Sequence, residues 1–91
     1  MYSIQQYEEA FILYQKDLEA FETHLRAKKE KSLISREEAA LLADAYKDLA
    51  RLPQIATVRK QHEGTGVVQQ EQLRLVRTLR GVFQVKRQSI L

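Results

Sequence analysis

Residues 4–25 read IQQYEEAFILYQKDLEAFETHL and carry apolar side chains at alternating spacings of three and four residues. This spacing is typical of an α-helix whose apolar side chains form one continuous line, because the a and d positions of a heptad face the same partner surface. We call this line the α1 seam; its members are Ile4, Tyr7, Phe11, Tyr14, Leu18, Phe21 and Leu25. The sequence therefore predicts a long first helix that needs an apolar partner.

Two kinds of partner fit the α1 seam, namely the rest of the chain and another molecule. The d positions hold Tyr7, Tyr14 and Phe21, and aromatic rings are too bulky to pair with themselves across a narrow two-stranded coil, which prefers Leu at d. We therefore expect them to pack against small residues on a neighbouring helix. The alternative is a partner seam, in which another chain covers Tyr7, Phe11, Tyr14, Leu18, Phe21 and Leu25.

Two capping signals divide the first half of the chain into helices at residues 3–31 and 35–52. Ser3 is followed three residues later by Gln6, and Ser35 by Glu38, as in a capping box. The second helix is rich in alanine and has one apolar face that can pack on the first helix. Because the turn at 32–35 is short, the two helices are predicted to form an antiparallel hairpin. That face, expected to cover the α1 seam, consists of Leu42, Ala45, Tyr46, Leu49 and Leu52.

The second half of the chain begins with a proline. Pro53 disfavours helical geometry at Leu52, so the sequence predicts a kink or a break there, followed by a short helical piece at 54–62. Gly64 and Gly66 predict that this short helical piece ends there. We expect a third, amphipathic helix over about 67–84, with its apolar pattern failing beyond Phe83 because Lys86 would fall inside the apolar arc. The members of that arc are Val68, Leu75, Val76, Leu79, Val82 and Phe83.

The C-terminal segment also carries a candidate basic face, since residues 72–91 hold five bases and no acid. The five residues are Arg74, Arg77, Arg80, Lys86 and Arg87. Guanidinium groups bind carboxylates and phosphates well. Four interpretations of this face are therefore open: a solvated helix surface, a contact for an acidic protein such as the first helix of another copy, a nucleic-acid site, and a membrane-surface contact. The one aromatic residue between these bases, Phe83, belongs to the apolar arc, and no recognition-helix motif accompanies them, so nucleic-acid binding is the weaker alternative to protein binding.

Composition excludes several kinds of site. The chain has 91 residues, a formal net charge of +3 and no cysteine, so disulfides and thiolate metal sites are excluded and a single domain is expected. The histidines, His24 and His62, lie on different predicted elements and match no metal-binding spacing. We therefore expect no enzymatic activity, no metal and no organic cofactor. We also expect no membrane span and no signal peptide, and therefore a cytoplasmic location.

These observations predict an all-α domain: a helical hairpin at 1–63 with a coiled-coil-like seam, and a basic amphipathic C-terminal segment at 67–91 that completes a small helical bundle. The expected function is non-enzymatic protein–protein interaction, as an adaptor, a chaperone or an assembly subunit. The partner is another protein chain or a second copy of this one. The alternative is a nucleic-acid-binding or regulatory protein that uses the basic segment.

Overall fold

The computed structural model describes residues 2–31, 33–61, 67–68 and 70–90. In these parts of the chain the elements follow in the order β1 (Tyr2–Ser3), α1 (Ile4–Glu30), α2 (Arg36–Arg51), α3 (Ile55–Gln61), β2 (Val67–Val68) and α4 (Gln70–Ile90). Helices α1, α2 and α4 pack against one another, and α3 packs on α1. The predicted all-α helical bundle is confirmed.

Both predicted capping boxes are present. Ser3 Oγ accepts a hydrogen bond from the Gln6 backbone N–H at 3.2 Å, and the Gln6 side chain accepts one from the Ser3 backbone N–H at 2.9 Å. Ser35 and Glu38 make the same pair of bonds at 3.1 Å and 3.3 Å. Because these bonds satisfy backbone donors that have no partner inside a helix, they fix where α1 and α2 begin.

Helices α1 and α2 form the antiparallel hairpin that the sequence predicts. Lys28, near the end of α1, donates to Glu38 at 2.9 Å, at the start of α2. Further along, the Tyr46 hydroxyl donates to Glu22 at 2.8 Å. Glu38 is 4% exposed, and the hydrogen bond from Lys28 is the main reason why its pKa is lowered. The turn is therefore held by one buried carboxylate that bonds both the α2 cap and α1.

Pro53 breaks the second helix rather than kinking it. Helix α2 ends at Arg51, and Leu52 has extended backbone angles, with φ −74° and ψ 143°. This is the geometry that a following proline imposes on the residue before it. Helix α3 begins two residues after the proline, and its Val58 side chain is completely buried. The break therefore allows a short helix to cover one end of the core.

The start of the third predicted helix differs from the expectation. Residues 67–68 form β2, which pairs with β1 in antiparallel register, Tyr2 opposite Val68 and Ser3 opposite Val67. Helix α4 consequently begins at Gln70, not at Val67. Two-residue strands have no periodicity that a sequence pattern could reveal. The predicted stop at Gly64 and Gly66 lies outside the described residues.

The end of α4 also corrects the prediction, because the helix continues to Ile90 instead of failing beyond Phe83. Ile90 packs against the core, which gives the last turns of the helix an apolar anchor. Lys86 is exposed, so it does not enter the apolar interior. Arg80 on α4 pairs with Asp17 on α1 at 2.7 Å, and both Arg87 and His24 line one pocket further along, so α1 and α4 run parallel.

One hydrophobic core joins the helices. Phe83 of α4 packs on two aromatic residues of α1: the centroid of its ring lies 5.6 Å from that of Phe21 and 6.4 Å from that of Tyr14. Ala45 is the small residue that faces the seam from α2, and the Tyr14 hydroxyl donates to its carbonyl oxygen. Aromatic seam residues thus pack against α4 as well as against the slim α2. Among the described residues, the core residues outside α1 are Ala45, Leu49, Leu52, Val58, Leu73, Val76 and Phe83.

Candidate docking surfaces

The α1 seam is covered by the chain itself. Tyr7 and Leu18 are 0% exposed, and none of the six residues proposed as a partner seam exceeds 4%. Of the two predicted partners for this seam, the structure contains the first, which is the rest of the chain. The prediction of a partner seam is corrected, because the residues assigned to it are already buried within the chain: Tyr7, Phe11, Tyr14, Leu18, Phe21 and Leu25. The physical reason is that three helices, α2, α3 and α4, pack on α1 and together cover its apolar side chains.

The polar atoms of the seam also find partners inside the chain. The Tyr7 hydroxyl donates to the Pro53 carbonyl oxygen at 2.6 Å, and the Tyr14 hydroxyl donates to that of Ala45 at 3.4 Å. Burial raises the pKa of Tyr14 to about 12, and the carboxylate of Asp48 contributes to the increase. The α1 seam therefore belongs to the interior of the fold, and the hydroxyl groups of Tyr7 and Tyr14 both donate hydrogen bonds within the chain.

The structure separates the five residues of the candidate basic face. Arg80 is largely turned toward α1, where its Nε donates to Asp17 at 2.7 Å. Arg74 and Arg77 are exposed and line an open pocket with Leu73. Lys86 lies in the groove between α2 and α4, while Arg87 lies beside Phe21 on the α1 side. These bases point in several directions around α4: Arg74 and Arg77 share one exposed surface, and Arg77 and the half-buried Arg80 line a second pocket against α1.

An exposed apolar line on α4 is the feature that the sequence analysis missed. Leu75, Val82 and Val85 are 49%, 45% and 64% exposed, although the first and second were expected in the apolar arc that faces the core. Together with Thr78 and Ser89 they follow spacings of three, four, three and four residues. We call the line of Leu75, Thr78, Val82, Val85 and Ser89 the outer stripe. Allowing small polar residues into the heptad pattern would have revealed it.

A groove between α2 and α4 adjoins the outer stripe. It has a volume of about 330 Å³, and Ala40, Leu41 and Ile90 give it an apolar floor. Ser89 of the outer stripe belongs to its wall, as do Lys86 and two exposed carboxylates of α2, Glu37 and Asp44.

The carboxylates continue along α2. Glu37, Asp44 and Asp48 are spaced by seven and four residues and therefore share one side of the helix. We call this row the acidic edge. Asp48 is half-buried and lies 3.9 Å from the exposed Arg51. The helix dipole accounts for Glu37, which is in the first turn, but it does not favour acids further along the helix.

A second groove lies between α1 and α2, and polar contacts cross its rim. It has a volume of about 360 Å³ and is lined in part by Leu25, Ile34 and Leu42. Glu22 crosses its rim, because it accepts from the Tyr46 hydroxyl at 2.8 Å and pairs with Arg26 at 3.4 Å. The large apolar side chains that line this groove are buried or half-buried, so it lacks the strongly exposed apolar residues that the outer stripe presents.

The described residues contain little that resembles a catalytic or metal centre. Among them, no group of three or more metal-ligating side chains is placed to hold an ion. His24 is exposed and its ring stacks against that of Phe21 at 6.4 Å, while His62 lies outside the described residues. No helix in the described ranges is long and apolar enough to cross a bilayer.

Three of the six exposed large apolar side chains in the described residues lie in the outer stripe of α4, and the other three are Ile12, Leu13 and Leu33. The outer stripe and the acidic edge across the groove from it form the candidate docking surface. Neither the protein-family models, nor the curated proteins, nor the solved structures include a match for this chain.

Proposed function

We propose that this protein is a non-enzymatic protein-binding module, acting as an adaptor, a chaperone or an assembly subunit that docks through its helices. The observation that carries the proposal is the outer stripe: Leu75, Val82 and Val85 are exposed at heptad-like spacing on one side of α4. Apolar residues scattered singly over a surface need no explanation, but an aligned group beside a groove marks an interaction site.

Helix-in-groove docking fits this surface. Helices α1, α2 and α4 form a three-helix packing, and a fourth helix placed over the α2–α4 groove would complete a four-helix arrangement. Thr78 and Ser89 are small enough to let another helix approach α4 closely. Burial of apolar surface is the driving force for such docking, and salt does not screen it.

The proposal is tested by affinity purification of the tagged full chain from its source organism at low and high salt. The variant Val82→Lys places a charge in the outer stripe, and Ile12→Lys, at an exposed apolar residue of α1, is the matched control. We expect a bound protein that is retained at high salt by the unaltered chain and by Ile12→Lys, and lost with Val82→Lys.

A parallel titration with a generic DNA duplex tests the competing function. Binding to phosphates weakens with a log–log slope near −0.9 per phosphate contact, so it should be lost steeply as salt rises. Duplex binding that depends on Arg74 and Arg77 but is unaffected by Val82→Lys would contradict the proposal, since those arginines share the exposed basic surface.

A further inference from the structure

We infer that the occupant of the outer stripe is a second copy of the chain, whose α4 lies antiparallel to the first across a two-fold axis. This inference rests on the proposed docking function and adds the identity of the partner. In a two-fold dimer the same patch serves both subunits, so the outer stripe of each copy covers that of the other. The fourth helix that docks on α2 and α4 is then α4 of the second copy.

The outer stripe matches itself when two copies of α4 run in opposite directions. Glu71 is exposed and lies four residues before Leu75, so it continues the same line toward the start of the helix. A two-fold axis midway between Thr78 and Val82 places each residue of the line opposite the one that lies equally far beyond the axis. The resulting pairs are Leu75 with Val85, Thr78 with Val82 and Glu71 with Ser89. Apolar residues therefore meet apolar residues or a threonine of similar shape, and the polar ends of the line meet each other.

Charge selects this orientation of the second copy and does not oppose the pairing. In a parallel pair each residue of the line would meet itself, so Glu71 would face Glu71 and Arg74 would lie beside Arg74, and like charges disfavour such a contact. In the antiparallel pair, Arg74 lies beside the uncharged Gln88 of the second copy. The bases that border the surface offset the three carboxylates of the acidic edge. These bases are Arg51, Arg74, Arg77 and Lys86.

Gly81 provides an observation independent of charge. It lies in the interior of α4, where glycine is less favourable than alanine. A Cβ atom added to it would meet nothing within 4 Å among the described residues beyond its own turns of helix, so packing within the chain does not require a glycine there. In the antiparallel pair, position 81 lies one residue from the two-fold axis and beside the line, so the two glycines meet. Without side chains at that point, the two helix backbones can approach each other closely.

Sedimentation equilibrium of the purified full chain tests for the dimer. We expect twice the mass of one chain, retained at high salt because salt does not screen apolar burial. Val82→Lys should give a monomer, whereas Ile12→Lys, at an exposed apolar residue of α1, should remain dimeric. Gly81→Gln should weaken the dimer by about tenfold or more, and Ala20→Gln, at an exposed position of α1, is its control. Circular dichroism of each variant checks that the fold is retained. Because few side chains take part, the dimer should dissociate on dilution, so unfolding of dilute protein reports on the monomer.

Disulfide cross-linking tests the orientation, since the chain has no cysteine of its own. Leu75→Cys and Val85→Cys replace exposed residues that oppose each other in the antiparallel pair. The two variants, mixed under reducing conditions and then mildly oxidised, should form a disulfide between chains. Either variant alone should remain uncross-linked, because its two thiols would be about 15 Å apart along α4, whereas a disulfide needs Cα atoms within about 7 Å. A mixture of Leu75→Cys with Ile12→Cys is the control and should not cross-link.

The outcomes separate the inference from the function on which it rests. A chain that stays monomeric at high concentration, or a dimer that Val82→Lys does not dissociate, would overturn the second copy as the occupant. Protein docking would still stand if the tagged chain retained another protein that Val82→Lys loses. Cross-linking of Leu75→Cys with itself, without cross-linking in the mixture, would overturn the antiparallel arrangement. A monomer that retains no protein would contradict the docking function as well.

Discussion

Helices α1 and α4 each carry a line of side chains at spacings of three and four residues, but only one of these lines is covered. Six of the seven residues of the α1 seam are buried, with exposures from 0% at Tyr7 to 4% at Leu25, and Ile4 is half-buried. The outer stripe of α4 remains open, with Val85 at 64%. Heptad spacing therefore identifies a side of a helix that suits packing, without identifying what packs there.

Side-chain size explains which line the fold uses. Helix α4 has two lines, and the one that enters the core includes Leu73 and the large ring of Phe83, which lies against two aromatic rings of α1. The outer stripe consists of Leu, Thr, Val and Ser, which bury less apolar area when they are covered. Turning α4 to cover the outer stripe would expose Phe83, so the observed orientation is the more stable one.

The largest effect is expected from emptying the seam. Phe11→Ala should destabilise the fold by about 3–5 kcal/mol, because the ring is 4% exposed and its removal leaves a cavity. The neighbouring residue Ile12 is 38% exposed, so Ile12→Ala should change stability by less than about 0.5 kcal/mol. Urea unfolding of the two variants measures both changes. Equal effects would mean that the seam of α1 is not the interior of the protein in solution.

A smaller effect is expected from weakening the turn that brings α2 over the seam. Ser35→Ala removes the acceptor for the Glu38 backbone N–H, and losing such a cap costs about 1 kcal/mol. Ser89→Ala is the control, because Ser89 is exposed within α4 and bonds only to the carbonyl of Val85 among the described residues. Thermal unfolding should show a lower midpoint for Ser35→Ala alone. An unchanged midpoint would show that the cap does not hold the hairpin.

A third test removes single hydroxyl groups from the seam. Tyr7→Phe should cost about 0.5–1.5 kcal/mol, because the hydroxyl donates a short bond of 2.6 Å to Pro53 and a lost partner leaves that carbonyl unpaired. Tyr14→Phe should cost less, since its bond to Ala45 is longer, at 3.4 Å. Denaturant unfolding ranks the two variants. The reverse order would mean that the chain after α2 is not anchored to α1 through Tyr7.

Local signals in the sequence predicted the parts of this structure that depend on neighbouring residues. Ser3 and Ser35 are followed at the third position by Gln6 and Glu38, and the bonds that form these caps involve no distant residue. The α1 seam was predictable for the same reason, because its spacing is a property of one helix.

Contacts between distant residues could not be predicted in this way. Arg80 was expected on an open basic face, but it pairs with Asp17, which is 63 residues away in the chain. Leu75 and Val82 were placed in the apolar arc because the sequence does not show which part of a broad arc α1 and α2 will cover. The candidate docking surface therefore became visible only once the helices had been placed together.

The smallest change in stability is expected in the outer stripe. Val82→Ser should alter the free energy of unfolding by less than about 0.5 kcal/mol, because the side chain is 45% exposed and the fold does not depend on it. The same substitution at Val76, which is 0% exposed on the same helix, should cost roughly 2 kcal/mol or more, since it removes apolar contacts and buries a hydroxyl. Urea unfolding of both variants compares two valines that differ only in what covers them. A large loss for Val82→Ser would show that the chain already covers its outer stripe. That stripe would then belong to the interior, as the α1 seam does, and would not be open to a partner.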